Sequence, residues 1–292
     1  EADNMINFGV NPDNTGLIIQ AGGIYAYADN GITLDSKGLT MTANNAGSGD
    51  IVLASDRDGV DGGNIRQDNG VGTITTFGSS SFSTNGGDII MAGNAEGTTY
   101  AVGAAAVVGD IAGSAEGVRF FGDTSMNTDG GNIIVKGKSW ATNIIHDGWG
   151  AYGVGFDSAN DFNSGTGTIF IDGISQSWGN GDFALFDFDT PVSAGVLFNQ
   201  SGGSTSITSA NTTPNAIIIQ GDASAAGSNN ALAGGVVFNS SNTNSITATG
   251  TGGGISITGK RQGANDHGED ITFTSASTEI LANGGPITLT GQ

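Results

Sequence analysis

The chain contains no cysteine and only 4 prolines in 292 residues. Without cysteine no disulfide staples the fold, and thiol content says nothing about compartment. So little proline beside 52 glycines excludes a proline-rich linker and a collagen-like chain. Basic residues are scarce too: 8 Lys and Arg face 28 Asp and Glu, for a formal charge of −20. Such a surface repels phosphate backbones, so nucleic acid is not an expected partner. Helix signals are nearly absent. The Ala-rich run 101–112 is the best helix candidate, but Gly103, Gly109 and Asp110 interrupt it. It is too short and broken to span a membrane, so no membrane insertion is expected. Residue 1 is Glu with no leader before it, which leaves a removed signal or an excerpt of something longer.

What the sequence does have is a repeat. Gly86-Gly87-Asp88-Ile89-Ile90-Met91-Ala92-Gly93 returns as Gly130-Gly131-Asn132-Ile133-Ile134-Val135-Lys136-Gly137. Further copies begin at Gly167, Ala216, Gly253 and Gly284. Their first isoleucines, at 89, 133, 169, 217, 255 and 287, step by 44, 36, 48, 38 and 32 residues. A glycine-bounded strand at that period signals a repeat architecture. Between the copies a second marker recurs: Gly117-Val118-Arg119-Phe120, Gly153-Val154-Gly155-Phe156, Gly195-Val196-Leu197-Phe198 and Gly235-Val236-Val237-Phe238. Each repeat is thus read as two short strands joined by loops rich in turn residues.

Alternation along a strand points the first and third residues of each Ile copy inward. The middle residue drifts through Ile90, Ile134, Phe170, Ile218, Ser256 and Thr288, as an outward position does. Its apolar early members call for a covering loop or a partner. The expected fold is all-β, a parallel β-helix (β-solenoid) with long inserted loops. Residues 48–292 carry the solenoid with repeats of about 40 residues, and residues 1–47 form an N-terminal short-coil or capping region of the same continuous domain. The strand-like starts at Thr15, Gly31 and Gly38 suggest tight coils there. A coil of about 20 residues would give two coils per repeat and a rod of roughly 65 Å; one large coil per repeat is the alternative. The chain stops right after Ile287-Thr288-Leu289-Thr290-Gly291, which suggests truncation or an end that docks on another copy.

The paired markers resemble the filamentous-haemagglutinin-like bacterial exoproteins, above all from Gly234 through Ser245-Ile246-Thr247-Ala248-Thr249 to Gly259. The resemblance covers about four-fifths of the chain. It implies a right-handed winding, an extracellular or cell-surface location in a bacterium, and adhesive or structural work without catalysis. Expected partners are the rest of a longer chain or other copies, and glycans or cell surfaces. A self-assembling filament or surface-layer subunit and a polysaccharide-active β-helix enzyme stand as alternatives.

Few residues suggest chemistry. Asp56, Asp58 and Asp61 form a candidate calcium loop, since calcium takes several oxygens from a flexible segment. Val60 breaks the usual order, and a solvated turn is the competing reading. Calcium is the only cofactor suggested. Carboxylates for hydrolysis would have to come from Asp157, Asp182, Asp187 and Asp189. His146 and His267 are the only histidines, and no serine nucleophile motif accompanies His146. Trp140, Trp149 and Trp178, with Phe183 and Phe186, fall in long loops. They fit either a satellite core or a contact patch for a subunit or a glycan. Thr-x-Thr occurs at 73–75 and 288–290, but no threonine ladder is legible, so ice binding is not expected.

Overall fold

The computed structural model describes residues 5–8, 16–29, 31–34, 38–55, 64–67, 79–103, 116–139, 143–144, 151–176, 178–179, 193–198, 203–224, 233–261 and 269–292. Among them there is no helix, and every strand pairing is parallel. Three sheets carry eight strands each along their main path, in strict rotation, so the chain winds through eight three-stranded coils. The Phe face runs from Met5–Asn7 to Ile271–Phe273, the Ser/Thr face from Ile18–Ala21 to Ser277–Ala282, and the Ile face from Ile24–Ala28 to Ile287–Gly291. This is a parallel β-helix.

Two details differ from the sequence reading. Each repeat is one coil, not two, because a third strand lies between the two markers. It is Thr124–Asn127, Asn160–Asn163, Thr205–Ser209 and Thr243–Ala248 in successive coils. The described stack is therefore shorter than expected, about 34 Å for seven inter-coil spacings. Near the N-terminus, Ile18–Ala21, Gly31–Thr33 and Leu39–Ala43 are not successive tight coils. The first and last are neighbours on the Ser/Thr face, and Gly31–Thr33 belongs to the Phe face. Within the Ala-rich run the described residues include a short strand, Ala101–Val102, paired with Gly137 and Lys138.

The core is one narrow column. Ile133 stacks on Ile89 and Ile169, and Val135 on Met91 and Ile171, all fully buried. On the Phe face the rings form a continuous pile. Phe120–Phe156, Phe156–Phe198, Phe198–Phe238 and Phe238–Phe273 have centroids 5.1, 4.6, 4.6 and 4.9 Å apart. Phe273 belongs to a degenerate copy of the marker, Ile271-Thr272-Phe273. In most of its strands the third wall contributes one large inward residue, among them Phe82, Met126, Phe162 and Ile207.

The glycines before most Ile strands answer to coil spacing. A Cβ on Gly131 would stand 2.0 Å from the Gly87 carbonyl oxygen, and one on Gly167 would stand 1.9 Å from that of Gly131. Buried hydroxyls then close the same corner: Thr128 Oγ1 donates to Gly131 O at 2.5 Å and Ser164 Oγ to Gly167 O at 2.7 Å.

Candidate functional site

Most of the long insertions share one corner; the segments 8–17 and 68–79, which run from a Phe strand to a Ser/Thr strand, are exceptions. The segments 139–150, 175–192, 223–232 and 261–270 all leave the end of an Ile strand and return at the start of a Phe strand. The other two corners of these coils turn within short segments such as 157–159 and 164–168. At the root of the insertions the backbones nearly touch. A Cβ on Gly173 would lie 1.9 Å from Gly195 O, and one on Gly195 would lie 2.3 Å from Asp222 N. The trailing glycine of one marker and the leading glycine of the other thus make a single pinch, from which the loops emerge.

The outside of the Ile face is held by charge beside this corner. One insertion interrupts an Ile strand: the chain leaves after Ala92 and rejoins the sheet at Ala101. Its Ala95 packs against the outward Val52, Ala54, Ile90 and Ala92, with Tyr27 and Ile134 at the margin. A glycine at 97, with φ near +63°, keeps the backbone close over Ile90 and Ile134. The Lys136 ammonium fixes the loop, donating to Thr98 O at 3.2 Å and lying 4.4 Å from the Tyr100 ring centroid. It also faces the Asp172 carboxylate of the next coil at 3.6 Å, which accepts a 2.6 Å hydrogen bond from Tyr100 Oη. Burial pushes the Asp172 carboxyl up, against the opposing pull of Tyr100 and Lys136. Burial and the neighbouring Asp172 also push the Tyr100 phenol up, so it stays protonated as the donor. Two positions further along the strands, Lys260 Nζ meets Asp222 at 3.4 Å in a half-exposed pair.

The Phe face carries a second cluster. Arg119 alternates with the inward Val118 and Phe120, yet it is only 5% exposed. Its Nε donates to Asp157 at 2.6 Å and its Nη1 to Glu116 at 3.0 Å, and the guanidinium lies 4.8 Å from the Phe121 ring centroid. Burial opposes its charge, but Asp157 and Glu116 outweigh that and hold the guanidinium more firmly protonated than usual. Beside it Tyr152, Ala194, Leu197 and Val237 form a small buried apolar cluster.

Asp157, a candidate hydrolytic carboxylate, is therefore the partner of Arg119. Asp56, Asp58, Asp61, Trp140, Trp149, Phe183 and Phe186 lie outside the described residues, as do His146, His267, Asp182, Asp187 and Asp189. Trp178 begins the two-residue strand Trp178–Gly179, which pairs in parallel with Asn143–Ile144, so the insertions of adjacent coils stack on each other. No group of three metal-ligating side chains occurs among the described residues. No known protein family matches the chain, and no curated protein or solved structure shows significant similarity to it.

Lys136, Asp172, Tyr100 and Glu116 were not singled out from sequence. A signal existed for two of them. Lys136 and Asp172 hold the same place in consecutive markers, Ile-Ile-Val-Lys-Gly and Ile-Phe-Ile-Asp-Gly, and Asp222 and Lys260 repeat the pattern after the glycine. Opposite charges at one position of adjacent coils must face each other.

Proposed function

We propose that the protein is a non-enzymatic scaffold of an extracellular adhesive or structural molecule, which presents the loops of the Ile–Phe corner. The observation that carries this reading is the gathering of four successive long insertions, 139–150, 175–192, 223–232 and 261–270, at one edge of a stiff stack. Asp172 and Asp222 beside this edge, and Asp157 at the far end of its Phe strand, are engaged by Lys136, Lys260 and Arg119 rather than left as free acid and base. Hydrolysis of a glycosidic bond needs two carboxylates free to exchange protons. The test is adherence of the purified chain to bacterial and host cell surfaces and to a glycan array. It is run beside a variant with 139–150 and 175–192 replaced by short Gly-Ser links. Loss of adherence with an unchanged melting profile supports the reading. Adherence that both replacements leave unchanged on every cell surface and glycan, or release of reducing sugar from any arrayed glycan, would overturn it.

A second reading, end-to-end assembly, is favoured by the last coil. Phe273, Ile287 and Leu289 continue buried rows of the core but are 45%, 46% and 50% exposed. A further coil laid on them would extend three sheets by strand addition. Lateral assembly through the outward apolar row loses support, since Ile90 is buried beneath the chain's own loop and Ile134 is partly covered. Sedimentation of wild type against Leu289→Ser tests the end-to-end reading, which predicts association that the substitution abolishes.

A further inference from the structure

The Ser/Thr face has an outer surface unlike the other two. Its first outward row reads Thr40, Ser81, Ser125, Asp161, Ser206 and Ser245, each opposite the next across adjacent strands. A second row two residues on, from Thr42 to Thr247, holds only Ser, Thr and Asn. Neither row contains an aromatic, Lys or Arg over these six coils, and each residue is at least partly open to solvent. A shallow groove crosses five coils along this surface, walled on one side by the corner that carries Asp123 and Ser204. The corner hydroxyls of Thr84 and Thr128 are spent on backbone carbonyls. Those of Thr40, Ser81, Ser125 and Ser206 make no side-chain hydrogen bond among the described residues. Asn160, only 2% exposed, also borders the groove, and its Oδ1 has no hydrogen-bond partner.

We propose that this groove binds a neutral, extended, hydroxyl-rich polysaccharide lying along the coil axis. The inference goes beyond the scaffold reading, because the corner loops take no part in it. The row repeats at the inter-strand spacing of about 4.8 Å, close to the rise of one sugar in an extended β-linked chain. Successive sugars therefore meet the same kind of hydroxyl or carboxylate on successive coils. Small side chains leave a trough that admits a chain edge-on. The Asp161 carboxylate accepts from sugar hydroxyls, and together with Asp123, which already accepts from Ser158 and Ala159, and the net charge of −20 it repels an acidic chain. A regular hydroxyl grid also suits an ordered-water lattice such as an ice surface. The trough and the charge of Asp161 in mid-row favour the polysaccharide.

The test is calorimetric titration of the full chain with cellohexaose, xylohexaose and mannohexaose, with an acidic oligogalacturonide as control. At least one neutral hexasaccharide is expected to bind and the acidic one not. Affinity is expected to fall at least about tenfold in Ser125→Leu/Ser206→Leu, which removes two outward hydroxyls and fills the trough. The same change at exposed Gln220 of the Ile face, Gln220→Leu, is expected to leave binding intact. So is replacement of loops 139–150 and 175–192, which separates failure of this inference from failure of the scaffold reading. No binding by any neutral hexasaccharide, or binding unaltered in the double variant with its melting profile preserved, overturns the proposal. Inhibition of ice recrystallisation without sugar binding overturns it in favour of an ordered-water surface.

Discussion

The Ile face and the Ser/Thr face share eight coils, the same spacing and the same alternation of inward and outward residues, yet their outer surfaces are opposite in kind. Outside the Ile face, from Val52 to Ile134, apolar residues are covered by a loop of the same chain, and Lys136 and Asp172 are buried in an ion pair; only the last two coils carry outward Ser256, Thr258, Thr288 and Thr290. Outside the Ser/Thr face, small hydroxyl and amide side chains stand bare, and nothing described packs over them. The backbone is indifferent to what its outward positions carry. Those positions instead decide whether a face is sealed by the chain's own loops or left for water and ligands. The pinch between Ile and Phe strands decides where the sealing loops begin.

The contrast breaks most readily at the pinch. Gly173→Ala drives a methyl into the Gly195 carbonyl and is expected to cost roughly 3 kcal/mol, measured by denaturant unfolding. Next comes the latch. Lys136→Met leaves Asp172 buried without its cation and is expected to cost about 2 kcal/mol. Hydrogen exchange should then rise in 93–100 but not on the Ser/Thr face; equal acceleration on both faces would remove the latch role.

A pH series sharpens the comparison. The folded state holds the Asp172 proton more tightly than the unfolded chain, whose ordinary value is 3.8. Its contribution to stability is therefore full below that value and is lost as pH rises through the raised one. On acidification from neutral, the wild-type melting temperature is expected to rise relative to Asp172→Asn; a constant difference would contradict the assignment. The smallest effect belongs to the bare face. Ser125→Ala is expected to shift stability by less than ~0.5 kcal/mol, and a larger loss would mean that the hydroxyl is structurally engaged.

The sequence made two of the three walls legible and concealed the third. Each Ile or Phe strand couples glycine to several large inward residues, so its copies align by eye. From Ser80–Thr84 onward the Ser/Thr strand has a single large inward residue, such as Met126 or Ile207, among residues that otherwise compose turns. Its neighbouring buried positions are themselves polar, as at Thr124, Asn160 and Thr205. Concealment of that wall split one coil into two and hid the mixed Ser, Thr and Asn rows. The ion pairs of the Ile face were readable from aligned charges. The Arg119 cluster was not, because Asp157 follows its marker rather than sitting inside it.

One consequence of the winding is mechanical. The ladder hydrogen bonds run along the coil axis, so tension between the two ends pulls each sheet open bond by bond instead of shearing it. Each strand of the three sheets pairs only with the strands before and after it in the stack, and the outermost yields first. The coil from Ile133 to Ile169, 36 residues in length, would release about 120 Å of chain, several times the height of the whole folded stack. Under load the molecule is a reel that pays out in discrete lengths of unequal size, set by the loops that each coil carries.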